Sequence, residues 1–309
     1  MLEHWEYLRS AVQNNYAFKE ISIIQEEPLL IQTERGLKRV RVWTNDQLLM
    51  KHLRWRTKLI SDHFFLDRMY ATIYGATSIR FDRYLITIHD APLDPAPIAG
   101  REQQWAELVM LLLQKSRGHC PMPAASQIGA QAAFVSNQLA ESGMAGDLVN
   151  LARACAPSAQ NRAEQADRLR NRHRSSGKTF ILPEDFSFAE TRLLLDTLFI
   201  ALGQSGPISG YPALAQFLLQ AALENGAQAV ESILAAFAQQ MPMTREMLDR
   251  IAAEWYAPGE WFQLAEWARM TPDQLESRER FKQVWDMKTR LIGRLQTFQE
   301  TSETVGEGG

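Results

Sequence analysis

Residues 29–60, LLIQTERGLKRVRVWTNDQLLMKHLRWRTKLI, constrain this chain most. They read as strand, tight turn, strand and then a long helix. Residues 29–32 and 37–43 fit the two strands, joined across Thr33-Glu34-Arg35-Gly36, where Gly36 supplies the positive φ that a hairpin turn needs. Alternation along the second strand places Lys38, Val40 and Val42 on one face. Leu37, Arg39, Arg41 and Trp43 take the other. Thr44 or Asn45 is a fitting N-cap for a helix over 46–62.

The rest of the chain divides around this stretch. Residues 1–15 fit a short amphipathic helix, with Trp5, Leu8 and Val12 three and four apart. Ile21, Ile23 and Ile24 fit a first strand, and residues 69–74 and 84–89 two later ones. Residues 91–100 hold three prolines and read as a hinge after a β-rich lobe over 1–90. From residue 101 to 298 the pattern is almost wholly helical, broken by a strand-like run at 178–182. Helices are expected at 146–154 and 190–202, and a solvated helix or loop at 161–174. Residues 299–309 read as a disordered tail. The fold class that follows is α+β, with a sheet-bearing lobe and a helical one.

Composition excludes several partners. The formal net charge of −3 gives no reason to expect nucleic acid or an anionic membrane surface. The apolar run at 109–114 is too short to span a bilayer, and the N-terminus lacks a signal-peptide pattern. Two cysteines, Cys120 and Cys155, make no disulfide framework, so a reducing cytoplasm is expected.

Candidate chemistry is sparse. In phosphotransferases a strand lysine holds nucleotide phosphates and pairs with a glutamate on the following helix. Lys38 is the candidate for that role; the competing reading is a lysine snorkelling from a strand edge. The helix over 46–62 contains no glutamate, and Gly36 is the single glycine between residues 20 and 38. The run FILPEDFSF at 180–188 ends a strand in acids, which makes Glu184 and Asp185 candidate Mg²⁺ ligands. Pro183 followed by acids also fits a helix start. Upstream, His173 is followed by Ser175 and Phe180, where a His-x-Asp loop would carry its base and its asparagine. His173 therefore reads as a surface residue. His119, Cys120 and Cys155 lack metal-ligand spacing. Trp255, Trp261 and Trp267 read as core or helix-interface aromatics. Arg54, Arg56, Arg80 and Arg83 make a basic face, either a docking surface or solvated charge.

Four stretches carry a family resemblance. They are Ile31-Gln32-Thr33-Glu34-Arg35-Gly36-Leu37-Lys38-Arg39-Val40, then Leu53-Arg54-Trp55-Arg56 running on to Leu66-Asp67-Arg68-Met69-Tyr70, then residues 179–198 and residues 248–267. Together they resemble the bacterial spore-coat proteins of the CotS type, within the aminoglycoside-phosphotransferase-like branch of the kinase fold. The resemblance implies a two-lobed kinase-like fold, with an antiparallel sheet plus one helix in the small lobe and a mostly helical large lobe. It implies Glu184, with Asp185 adjacent, in the first metal slot, and Asp196 buried on the helix beyond. The glycine loop, helix glutamate, catalytic aspartate and following asparagine are all missing here. A protein of this kind that has lost phosphoryl transfer would work by binding other proteins, foremost spore-coat components. It would be made in the mother-cell cytoplasm and end in the coat, with no cofactor. The alternative is an active small-molecule phosphotransferase that uses ATP and Mg²⁺ through Lys38, Glu184 and Asp185. A third is a helical scaffold unrelated to kinases. Fold alone does not decide among them.

Overall fold

The computed structural model describes residues 5–58, 64–91, 99–115, 117–118, 125–174, 179–183, 192–194, 197–200, 207–241, 243–270 and 275–306. The chain forms two compact units, Met1–Pro97 with Leu182–Ile208 and Ile98–Ile181 with Ser209–Gly309.

The first unit opens with helix α1 (Trp5–Tyr16) and strands β1 (Ile21–Gln25), β2 (Leu30–Thr33) and β3 (Gly36–Trp43). Helix α2 (Asp46–Lys58) and strands β4 (Phe64–Leu66), β5 (Ile79–Phe81) and β6 (Tyr84–Asp90) follow. Five of the strands form one antiparallel sheet in the order β1-β2-β3-β6-β5. The β2–β3 turn is set locally. The Thr33 hydroxyl accepts from the Arg35 N–H at 3.1 Å and donates to the Gly36 carbonyl at 2.8 Å. Gly36 then takes φ +83°, where a side chain would be strained. Strand β3 lies along β6 from Lys38 opposite Asp90 to Trp43 opposite Leu85.

Both faces of this sheet are covered. On one, Leu8, Val12 and Tyr16 of α1 bury themselves against Ile31, Val40, Ile86 and Ile88. On the other, His52 of α2 lies against the Trp43 ring, 4.8 Å between centroids. Helix α2 begins where Asn45 Oδ1 accepts the Leu48 N–H at 2.9 Å.

The expected strand over 69–74 is reduced to one bridge, Met69 opposite His89, because the chain turns at Gly75, φ +77°. The helix expected over 190–202 is a hairpin in its described part. Strands β9 (Arg192–Leu194) and β10 (Thr197–Ile200) pair antiparallel, and β10 also pairs in parallel with β4. A short apolar run has no period to tell a strand from a helix.

The second unit contains helix α3 (Glu102–Lys115), strand β7 (Arg117–Gly118), and helices α4 (Ile128–Glu141) and α5 (Asp147–Arg172). Strand β8 (Thr179–Pro183) pairs with β7, Arg117 opposite Phe180. After strand β11 (Pro207–Ser209) come helices α6 (Gly210–Asn225), α7 (Ala227–Gln240), α8 (Arg245–Tyr256), α9 (Gly259–Met270) and α10 (Leu275–Gly306). Helix α10 runs past the expected end at residue 298, since no glycine or proline lies between residue 298 and Gly306.

Helix α5 organises the unit. Ala152, Ala156, Ala159, Ala163 and Ala166 recur at spacings of three and four and are buried, so neighbouring helices approach its backbone closely. The Trp261 indole reaches that backbone, donating to the Ala152 carbonyl at 2.9 Å. Trp255 donates to the Ala215 carbonyl at 3.0 Å; both rings are buried core, and Trp267 is half-buried against the cluster that holds Trp261. The stretch expected as solvated, 161–174, is built into this helix. Asp167 accepts the Ile128 and Gly129 N–H groups at 3.0 and 2.8 Å and so caps α4. A Cβ at Gly129 would meet Asp167 Oδ2 at 3.2 Å, which explains the glycine. Among the described residues no helix is long and apolar enough to cross a membrane.

Candidate functional site

Lys38 lies on β3 facing α1, on the side of Val40, and its side chain is 3% exposed. Its ammonium reaches Asp90 Oδ1 at 3.1 Å and donates to the carbonyls of Arg35 at 2.5 Å and Leu37 at 3.3 Å. Three donors meet three acceptors, which is the full capacity of an ammonium. The Tyr70 ring centroid lies 5.1 Å away, and Tyr70 donates to the same Asp90 oxygen at 2.9 Å. Arg68 Nε stands 3.3 Å from the other Asp90 oxygen. Lys38 thus closes the β2–β3 turn onto the end of β6.

The face toward α2 carries a different set. Alternation places Arg39, Arg41 and Trp43 there from β3, and Thr87 and His89 from β6. Helix α2 contributes His52 and Arg56, one turn apart, and the residue after β4 is Asp67. Hydrogen-bond direction along this set is fixed from its two ends, because an indole N–H can only donate and a carboxylate can only accept. Trp43 donates to Thr87 Oγ1 at 2.8 Å. His89 Nδ1 faces Asp67 Oδ2 at 2.8 Å and so carries the ring hydrogen. Nε2 of the neutral ring is then the acceptor, and the Thr87 hydroxyl, 2.9 Å away, donates to it. Asp67 Oδ1 accepts from Arg56 at 2.6 Å, and the second Arg56 amino group takes the Asp67 carbonyl.

Burial and charge agree with that assignment. Burial works against the Asp67 carboxylate, but the hydrogen bond and charge of His89, with Arg56 and Arg41, hold its pKa below the usual range. Burial outweighs Asp67 at His89 and lowers its pKa, so the ring is neutral. His52 is pushed down to about 3, chiefly by burial and then by His89, Arg56 and Arg41. A His–Asp pair with one ring nitrogen open would suit general-base work. Here His89 is 0% exposed and its Nε2 is already engaged by Thr87, so the pair holds the sheet to α2.

In the second unit, charge gathers where α5 ends. Asp249 of α8 faces His173 Nε2 at 2.7 Å, Arg172 at 3.0 Å and Arg245 at 3.2 Å, and its pKa is lowered by these partners against the effect of burial. His173, read from sequence as a surface residue, is a tether between α5 and α8. Arg170 to Glu254 at 2.7 Å adds a second tether.

Of the site residues expected from sequence, Lys38 is described and sits with Asp90, on the face away from α2. Glu184, Asp185 and Asp196 lie outside the described residues. Among the described residues, no three His, Cys, Asp or Glu side chains are grouped to hold a metal. Arg56, expected on a basic surface, is drawn in by Asp67, and Arg80 faces Asp46 at 3.3 Å. The α2-side network was not anticipated. Its signals were the one-turn spacing of His52 and Arg56 and the alternation of Thr87 with His89.

No protein-family model and no curated protein matches this sequence. Solved structures do match in shape. An aminoglycoside phosphotransferase from Alicyclobacillus acidocaldarius aligns with a TM-score of 0.74 at 10% identity, over 94% of this chain and 95% of its own. A spectinomycin phosphotransferase solved with ADP and spectinomycin gives 0.61 at 8%, over 92% and 97%. A choline kinase from Streptococcus pneumoniae gives 0.53 at 11%, over 93% and 99%. The fold is therefore kinase-like and α+β, with the five-stranded antiparallel sheet in the N-terminal part and a mostly helical remainder. The reading as a helical scaffold unrelated to kinases is set aside.

Proposed function

We propose that this chain is a kinase-like protein that has left phosphoryl transfer behind and works by binding other proteins. The observation that carries the proposal is the orientation of Lys38. A nucleotide-holding lysine must present its ammonium on the face shared with the helix after β3. Lys38 faces the opposite way and spends all three donors on Asp90, Arg35 and Leu37. The α2 face carries a histidine and an arginine from the helix, His52 and Arg56, in place of a glutamate. Its centre is closed by buried Trp43, Thr87 and His89. These residues do not fit a nucleotide's phosphates, and we assign no step to ATP or Mg²⁺.

The spore-coat setting follows from the sequence resemblance, and other coat proteins are the partners it implies. A fluorescent fusion followed through sporulation tests it. Signal that remains diffuse in the mother cell and never reaches the forespore overturns the setting.

Nucleotide binding is tested by thermal unfolding with Mg·ATP, on the native chain and on Lys38→Ala and Asp185→Ala. Ligand at a hundred times its Kd would add about 2.7 kcal/mol. No shift is expected in any of the three proteins. A shift in the native chain that vanishes in both variants overturns the proposal. It would restore the reading as a small-molecule phosphotransferase with Lys38 on phosphate and Asp185 on Mg²⁺.

A further inference from the structure

The second unit contains a groove of about 500 Å³ between α6, α9 and α10, which shares no residue with the network around His89. Its volume falls in the range of small-ligand sites. The charged side chains that line it are two cations and one carboxylate, Arg280, Lys288 and Glu260. The cations stand just over two turns apart on α10, about 12 Å along its axis. Between them α10 brings Phe281 and Val284 to the groove, and α6 brings Leu219 and Leu223. The groove is thus cationic at both ends and apolar along its middle.

One end is buried. Lys288 is 8% exposed, and it donates to Glu260 at 2.6 Å and to the Ala257 carbonyl at 3.0 Å. An ammonium has three donors, and the third finds no partner among the described residues. Glu260 cannot neutralise Lys288 alone, because its other oxygen faces Arg162 at 3.3 Å. Asp286 also acts on Arg162 but lines no part of the groove. The other end is open. Arg280 is exposed and makes no hydrogen bond or ion pair among the described residues. Glu224 of α6 lies outside the lining and is held by Gln220 at 2.5 Å. An exposed arginine by itself is solvated charge. What sets this one apart is a buried lysine with a donor to spare at the far end of the same apolar groove.

We propose that this groove binds a linear organic dianion, in its simplest form a straight-chain dicarboxylate. One carboxylate meets Lys288, the other meets Arg280, and the hydrocarbon between them lies along Leu219, Leu223 and Val284. The ends match because an ammonium with a spare donor and a guanidinium fork both make charge-assisted hydrogen bonds to a carboxylate. The middle matches because the chain and the leucines leave water together. A cationic ligand would face two cations and a single carboxylate that is already paired twice. A neutral chain would cover the spare Lys288 donor without satisfying it.

The test is isothermal titration calorimetry on the full chain with succinate, adipate, suberate and sebacate, and with octanoate, octanediol and octanediamine beside them. Suberate or sebacate should bind, and more tightly than succinate, which is too short to reach both cations. Octanoate should bind about tenfold more weakly than suberate, the loss of one charged contact. The diol and the diamine should give no heat of binding. Arg280→Gln should weaken the longer dicarboxylates about tenfold. Arg280 is exposed, so that variant keeps the fold. Leu223→Glu sets a carboxylate against the hydrocarbon and should abolish binding in a chain that still unfolds cooperatively. The proposal is overturned if no dicarboxylate binds the native chain, or if succinate binds as tightly as the longer ones. Octanoate, octanediol or octanediamine binding as tightly as suberate overturns it too, as does native affinity in Arg280→Gln.

Discussion

Acidification from pH 7 to pH 5 should cost this protein stability through His52, and replacing that residue should remove the cost. In the folded chain His52 is held neutral, its pKa pushed from 6.5 to about 3 by burial first and then by the charges of His89, Arg56 and Arg41. The unfolded chain takes up a proton at this position near pH 6.5 and the folded chain does not. The contribution of His52 is therefore fully present above that pH and is lost as pH falls toward 3. Integrated between pH 7 and pH 5, the loss is about 2 kcal/mol, a large share of a typical 5–15 kcal/mol total. His89, also lowered, acts in the same direction. Asp67 does not intrude, because its lowered carboxyl loses stability only below the unfolded value of 3.8. Urea unfolding at both pH values measures the effect by linear extrapolation. His52→Leu keeps an apolar group against Trp43 and cannot titrate, so its pH 7 to pH 5 loss should be smaller by about 2 kcal/mol. Equal losses in the two proteins would refute the reasoning. So would a His52 ring resonance in the folded chain that titrates near pH 6.5.

Three further outcomes can be measured by the same unfolding assay. Asp67→Asn leaves Arg56 facing a neutral group and removes the partner of His89 Nδ1; a loss of about 3–5 kcal/mol is expected. Glu260→Gln breaks the contacts to Arg162 and Lys288 together and should cost about 3 kcal/mol or more, with a loss below one showing that water already screens the staple. Thr244→Ala removes the hydroxyl that accepts the Met247 N–H at 3.3 Å at the start of α8, and about 1 kcal/mol should follow.

The sheet was legible in the sequence because its determinants are local. Gly36 after Thr33-Glu34-Arg35 marks a hairpin, Asn45 marks a helix start, and alternation in β3 sorts Lys38 and Val40 from Arg41 and Trp43. What alternation cannot say is which helix covers which face. The face bearing Lys38 meets α1, and the face bearing Arg41 meets α2. The expected helix at 146–154 and the stretch at 161–174 are one helix, α5, although Pro157 between them lacks an N–H and ordinarily breaks a helix at a cost of about 3 kcal/mol. Buried alanines on either side of the proline, Ala156 and Ala159, carry the helix through it. The arginines of residues 161–174 looked solvated because their partners, Asp249, Glu254 and Glu260, lie some 80 to 100 positions away in sequence. Long-range charge pairing leaves no local pattern to read.

The covering of both faces of the sheet also decides how faithfully β3 can find its place. A strand with one polar, solvated side tolerates sliding along its neighbour more readily than one whose two sides are each spoken for. Sliding β3 by one residue along β6 would set Lys38 against His89 instead of Asp90. It would also turn Arg41 toward Leu8 and Val12, and Val40 toward His52 and Arg56. Each misalignment would bury a charge without its partner twice over, once on each side. The Lys38–Asp90 pair and the Trp43–Thr87–His89–Asp67 chain therefore work as two independent proofs of one alignment, and both must fail before a wrong one can persist.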